Sequence, residues 1–356
     1  MRSKNAMISL VPLSVEKGMD ITMKRTIVID NVCGWPNLTR MPDGSLISVV
    51  FNHPSHGEAE AEVDCYRSDD EGATWRYHGT PAQHDPTCNR MNAACGIAVN
   101  GDFLVLVGGW DRRPAKGEAV PPYEECNRLP AVVCRSADNG RTFKVSPFHY
   151  TVPGDDHVLV PYGDIFRIGG STLACACYTV TKDMEYTRSY VIFSDDDGFT
   201  WTRHGLISGN NHHETALWFH DKEHGIAICR ENACDRLDQF TTEDGGQTWQ
   251  FDQQITCPGI LPAHVMKLDN GQLLMTCGVR IQGLWGIGVS CSKDGGKNWS
   301  RLRAICNFGE LKDGGYPTSV QLDNGEIVTH YYASGIPFHE RYFVGQVKWN
   351  FGEVFE

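Results

Sequence analysis

Ser194-Asp195-Asp196-Asp197-Gly198-Phe199-Thr200-Trp201 carries a pattern, S-x-D-x-G-x-T-W, that returns four more times along the chain. The copies are Ser68 to Trp75, Ser136 to Phe143, Thr242 to Trp249 and Ser292 to Trp299. One motif recurring every 48 to 68 residues marks a repeat architecture, and the repeat has to be recognised before any single segment is read. The residue types account for the local shape. Asp bonds backbone N–H groups in a tight turn, Gly takes positive φ, and the closing aromatic returns to cover the hairpin. Each copy therefore predicts the tip of a β-hairpin.

A second periodic signal runs between these tips. Short turns followed by apolar runs occur at Asp43-Gly44, Asn100-Gly101, Gly169-Gly170, His224-Gly225, Asn270-Gly271 and Asn324-Gly325. Each repeat thus holds two hairpins, and four strands per repeat make a propeller blade. Blades are expected near 33–80, 90–148, 155–206, 212–255, 262–305 and 314–350. The last shows only three strands. The alternating segment near Thr22 to Ile29 is available to supply the fourth, which removes an exposed sheet edge at the seam. The expectation is an all-β, six-bladed β-propeller whose last blade is closed by the N-terminal strand, a single domain over residues 20–356 preceded by a weakly ordered leader, 1–19. No long window shows a 3.6-residue period, so helix should be nearly absent.

Composition narrows the function classes. With 356 residues, 41% hydrophobic and 21% charged, the chain reads as an ordinary soluble globular protein. A net charge of −12 and the lack of any basic run disfavour nucleic acid as a partner. No apolar stretch is long enough for a membrane span, and residues 1–28 contain no signal-peptide h-region. The 14 cysteines show no C-x-x-C pair and fall largely on strand-like runs, so free thiols in a reducing, cytoplasmic compartment are expected rather than zinc sites or disulfides. The acidic triplets lack an alternating metal-ligand loop. No cofactor or metal is implied.

The blade layout sorts the chemistry by face. The turn between strands 1 and 2 and the tip between strands 3 and 4 share one end of each blade; strand 1 entries and strand 2 exits share the other. That second face collects Trp35, Arg90 to Asn92, Asp155 to His157, His213, Glu214, His264 and Tyr316 at the entries. The exits carry His53 to His56 with Glu58 and Glu60, Trp110 to Arg113, Tyr178, Arg230, Arg280 and Tyr331-Tyr332. Arg, His, Glu, Tyr and Trp gathered at one mouth point to a pocket for a carbohydrate or acidic substrate.

The repeated octapeptide is the Asp-box, and with it the chain resembles the sialidase (neuraminidase) superfamily of BNR-repeat propellers. The resemblance extends to three segments. HHETALWFHDKEHGIAICREN is similar to the sialidase stretch in which a Glu opens a strand and an Arg closes its partner, here Glu214 and Arg230. GGYPTSVQLDNGEIVTHYY is similar to the stretch opening with the nucleophilic Tyr, here Tyr316. PAHVMKLDNGQLLMTCGVR ends at Arg280, matching the third arginine of the family's triad. The resemblance implies an exo-glycoside hydrolase in which Tyr316 attacks the anomeric carbon, Glu214 takes its proton, and arginines hold a substrate carboxylate. Those residue types fit the chemistry. A phenol with a pKa near 10 is a poor nucleophile unless a base takes its proton or cations lower that pKa, and Arg bonds a carboxylate bidentately. Sialidases are a recognised exception to the two-carboxylate glycosidase scheme.

The family's first blade opens with aromatic-Arg-Ile-Pro, whereas this chain has Cys33-Gly34-Trp35-Pro36. The first arginine is absent, with Arg90, Arg112 and Arg113 as possible replacements. The acid/base Asp belongs to the loop before the first Asp-box, where Glu58, Glu60 and Asp64 compete with His53 and His56. His157, His264 and the aromatics Trp35, Trp110 and Trp285 are further substrate-binding candidates. Two other functions share these residues: a lyase acting on uronic-acid glycans, and a non-catalytic glycan-binding propeller.

Overall fold

The computed structural model describes residues 23–56, 59–113, 126–181, 186–308, 313–336 and 339–355. The leader expected over residues 1–19 and the candidate Glu58 lie outside them. Among the described residues the chain forms 24 strands in antiparallel meanders of four. An N-terminal strand, β1 (Arg25–Asp30), precedes the first meander of β2 (Cys33–Arg40), β3 (Leu46–Phe51), β4 (Val63–Ser68) and β5 (Arg76–Ala82). The second holds β6 (Cys88–Ile97), β7 (Phe103–Asp111), β8 (Asn127–Ser136) and β9 (Lys144–Pro147), and the third β10 (Val160–Ile168), β11 (Thr172–Val180), β12 (Thr187–Ser194) and β13 (Arg203–Ser208). Then come β14 (His212–Phe219), β15 (Gly225–Glu231), β16 (Arg236–Thr242) and β17 (Gln250–Gln254), followed by β18 (Ile260–Lys267), β19 (Leu273–Ile281), β20 (Leu284–Ser292) and β21 (Arg303–Asn307). The last meander is β22 (Gly314–Gln321), β23 (Ile327–Ile336) and β24 (His339–Trp349), after which comes a short helix, α1 (Phe351–Phe355).

β1 pairs antiparallel with β24, Arg25 opposite Val347, and supplies the fourth strand of the last meander. The first strands of the meanders pack against one another in succession, and β22 meets β2. The result is an all-β propeller architecture. The second and third meanders are fused into one eight-stranded sheet by a short parallel pairing of β6 with β10. Gly96 permits it, because a Cβ there would lie 1.8 Å from the Ile165 carbonyl oxygen. Apolar clusters fill the seams between meanders: Leu104 and Leu106 pack with Leu173 and Ile192, and Leu38 and Leu46 with Leu322 and Val328.

The five octapeptides adopt one geometry. In the third copy Ser194 Oγ donates to Asp196 Oδ1 at 2.8 Å and accepts from the Gly198 N–H at 2.8 Å, while Asp196 also accepts from the Thr200 N–H and hydroxyl. Gly198 sits at φ 83° and its four counterparts between 84° and 88°, a region open to Gly at little cost. The closing aromatic does more than cover its own hairpin. Trp75 bonds Gln346 of β24 and packs at a tilt against His330 of β23, and Trp299 bonds Gln239 of β16. These aromatics tie each meander to its neighbour.

Asp196→Ala removes three hydrogen bonds from a turn whose backbone donor cannot repair itself, and should lower stability by about 1–3 kcal/mol. Asp195, one residue earlier, takes exposed partners in Arg203 and Thr172, so its alanine variant should lose under about 1 kcal/mol. Urea unfolding of the two variants checks the ranking.

Candidate functional site

Every first strand breaks its register near the same end of the wheel. The irregularities lie between Cys33 and Asn37, Arg90 and Ala93, Tyr162 and Ile165, His212 and Thr215, Ile260 and Ala263, and Gly315 and Thr318. A bulge turns a side chain out of strict alternation and re-aims it. Here the bulges direct Trp35, Asn92, Asp164, Glu214 and Tyr316 into cavities on the axis. Pro36, Pro262 and Pro317 sit in three of them, where a missing N–H is tolerated. Trp35 and Tyr316, each before a proline, take φ values of 49° and 50°. Such left-handed backbone costs a non-glycine residue about 1–3 kcal/mol, and the surrounding packing has to hold it there.

Tyr316 Oη donates to Glu214 Oε1 at 2.5 Å, and Arg230 Nη1 donates to Glu214 Oε2 at 2.8 Å and to Tyr316 Oη at 3.0 Å. Asp235, just before β16, fixes the other edge of that guanidinium, accepting from Nε at 3.0 Å and from Nη2 at 2.7 Å. Burial pushes the Tyr316 phenol well above its usual range; Glu214 adds to this, and the opposing pull of Arg230 and Arg280 does not overcome it. The nearby cations therefore do not create a phenolate. Burial also acts to raise Glu214, but Arg230, His213 and the Tyr316 hydrogen bond outweigh it and leave the carboxyl below its usual value. The resting pair is a neutral phenol donating to a carboxylate, so the base is already aligned with the proton it would take. Beside them, burial drives His213 down to about 4 despite Glu214, and it is neutral at ordinary pH.

Arg280 lies over the Tyr316 ring, Cζ 5.8 Å from its centroid. Its partners are the Gly314 carbonyl at 2.9 Å, Tyr332 Oη at 3.0 Å and Asp313 at 3.2 Å. Asp313 also accepts from Tyr332, Tyr342 and His56. Tyr332 explains the missing first arginine. Its ring lies flat against Gly34, where a Cβ would meet ring carbons at 2.9 Å, so no larger side chain fits at Gly34 without moving that ring.

Two cavities flank the Tyr316–Glu214 pair. The larger, about 210 Å³, is walled by Trp35, Trp110, Arg128, His213, Arg230 and Asn232. The smaller, about 50 Å³, runs down the axis to His264 and Asp164, which bond at 3.0 Å. Arg230 lines the larger cavity; Arg280 lines neither. The two guanidinium groups thus meet Tyr316 from different directions instead of converging on one carboxylate position.

The remaining candidates are dispersed. Asp64 is locked inside the first meander by Asn52 at 3.0 Å and Thr80 at 2.5 Å. Arg90 donates to the Pro130 carbonyl, Arg113 pairs with Asp111, and the Arg112 backbone donates to Thr87; none of the three lines either cavity. His157 serves Asp155, which also gathers Thr179, Arg188 and Tyr190. Trp285 packs against the core of the last two meanders. Sequence reading missed Asp313, Asp235, Asn232 and Arg128. The last opens a third strand, and third strands start on the same face as second-strand exits, so the blade layout itself could have found it.

A family model described as BNR repeat-like domain matches residues 123–329. No curated protein matches the chain. Among solved structures, a protein of unknown function from Dyadobacter fermentans is similar at 18% identity and a TM-score of 0.75, over 91% of this chain and 97% of that one. A Hadza microbial sialidase is similar at 19% identity and 0.71, over 90% and 66%. A mutant sialidase from Streptococcus pneumoniae is similar at 13% and 0.67, over 93% and 71%. Identities this low carry the fold and not the activity. With more than half its length matched by the repeat model and its Asp-boxes built alike, the chain belongs to the BNR repeat-like domain family.

Proposed function

We propose that the chain is a six-bladed propeller, closed by β1, that acts as an exo-glycoside hydrolase removing a terminal acidic sugar from a glycan. The observation that carries this reading is the 2.5 Å contact between Tyr316 and Glu214 at the wall of the larger cavity. Glu214 takes the phenolic proton as Tyr316 Oη attacks the anomeric carbon, and Arg230 steadies the charge that moves between them. Arg230, a wall of that cavity, supports an anionic substrate.

A second substrate class has its own support. Asp235 and Asp313 already answer the charges of Arg230 and Arg280, and Tyr332 occupies the space over Gly34. A neutral terminal sugar would leave those pairs intact. The deciding experiment incubates the protein with nitrophenyl α-sialoside, nitrophenyl uronides and neutral nitrophenyl glycosides. Acidic glycosides should be cleaved at least about 100-fold faster than neutral ones, a difference of about 2.7 kcal/mol, if the arginines receive a carboxylate. The reverse order selects the neutral sugar. An unsaturated-uronate absorbance marks a lyase instead, and glycan binding without turnover removes the hydrolase reading.

A further inference from the structure

We propose that His56, held by Asp313, is the general acid/base of the reaction assigned to Tyr316 and Glu214, on whose reading this inference rests. The loop between β3 and β4 offers few alternatives among the described residues. Asp64 is bound within its sheet, Glu62 is paired with His84, and Glu60 accepts from the Thr87 N–H. His56 turns the other way. Its Nε2 lies 2.8 Å from Asp313 Oδ2, and its ring stands edge-on to Trp35 at 5.0 Å and tilted to Tyr342 and Tyr332 at 5.3 and 5.9 Å. Trp35 in turn lies 6.2 Å from the Tyr316 ring.

Asp313 is suited to its part. Burial would raise its carboxyl, but the His56 hydrogen bond and the charges of Arg280 and His56 hold it down at about 2. An ionised acceptor fixes the proton on His56 Nε2 and leaves Nδ1 to exchange one with a substrate. The side chain is 40% exposed and lies against Trp35, a wall of both cavities. Among the described residues, the charged and titratable groups facing it are Asp313, Tyr332 and Tyr342, with Arg280 behind the carboxylate.

The steps balance. The C–O bond to Tyr316 forms and the glycosidic C–O bond breaks while His56 Nδ1–H protonates the departing oxygen and Glu214 holds the phenolic proton. Neutral His56 then takes a proton from water, whose oxygen attacks the anomeric carbon. Tyr316 leaves and recovers its proton from Glu214, and both side chains return to their starting forms.

The test compares leaving groups, using glycosides of the sugar that the nitrophenyl panel selects. His56→Gln should lose at least about 100-fold in kcat/KM on an alkyl glycoside, whose alkoxide needs protonation, and under about 10-fold in kcat/KM on the nitrophenyl glycoside. Asp313→Asn acts through His56 as a positioning residue and should show the same split in smaller measure, which a purely structural defect would not produce. Equal losses on both substrates in a folded His56→Gln protein overturn the acid role and leave the hydrolase reading intact. If the wild-type chain cleaves none of the panel, the hydrolase reading falls and takes the acid role with it.

Discussion

Tyr316→Phe should lower kcat by at least about 1,000-fold, because the variant has no oxygen to form the bond that splits one hard step into two. The fold should survive. The phenyl ring keeps its contacts with Trp35 at 6.2 Å, Tyr162 at 6.5 Å and Tyr332 at 5.6 Å, and Glu214 keeps its bond from Arg230 at 2.8 Å. The loss should fall on kcat, with KM little changed, since the hydroxyl is spent on bond formation and not on holding the sugar. Single-turnover assays with a nitrophenyl substrate check this. Activity within tenfold of wild type would remove Tyr316 from the chemistry.

Arg230→Leu is expected to be the most destabilising single change at the site. Glu214 sits 8% exposed, and without the guanidinium its charge would be left to Tyr316 Oη and to His213, whose Nδ1 is 3.6 Å away. Breaking one side of a buried ion pair typically costs about 3–5 kcal/mol. The pH dependence gives the test its sign. In the wild-type fold Glu214 is depressed below its ordinary value, so its contribution is present above the unfolded pKa and lost as pH falls through the folded one. In Arg230→Leu burial acts on Glu214 with its chief counter-charge gone, so the carboxyl should rise and the cost should grow as pH increases. The difference in melting temperature between wild type and variant should therefore widen from about pH 4 to about pH 8, spanning the carboxylate range. Calorimetry showing the same difference at both ends would mean that Glu214 is not the buried charge the ion pair serves.

The site was legible in part, and the boundary follows a physical line. Glu214, Arg230 and Tyr316 were visible because each stands at a strand end next to a turn or a proline, and these leave marks in sequence. Gly34 was visible as a departure, but what fills the space was not: Tyr332 lies about three hundred residues further on and reaches Gly34 only when the last meander meets the first. Asp313 has no local signal at all. Its importance comes from four partners drawn from different elements, His56, Arg280, Tyr332 and Tyr342.

The repeats, the strand count of each meander, the positions of the tips and the pairing of the N-terminal strand with the last meander were determined by sequence alone. The first three depend on neighbours a few residues apart: a Ser–Asp–Gly–Thr turn closes through bonds of 2.6 to 2.8 Å between residues two to four apart. The pairing of Arg25 with Val347 follows from the strand that the last meander lacks. Which side chains meet on the axis was decided only by tertiary structure. One bulge per first strand rotates a residue inward, and Tyr316 and Glu214, 102 residues apart, come together only where such strands converge. A bulge is one extra residue in the register between two strands, so it belongs to the pair and is written in neither strand alone.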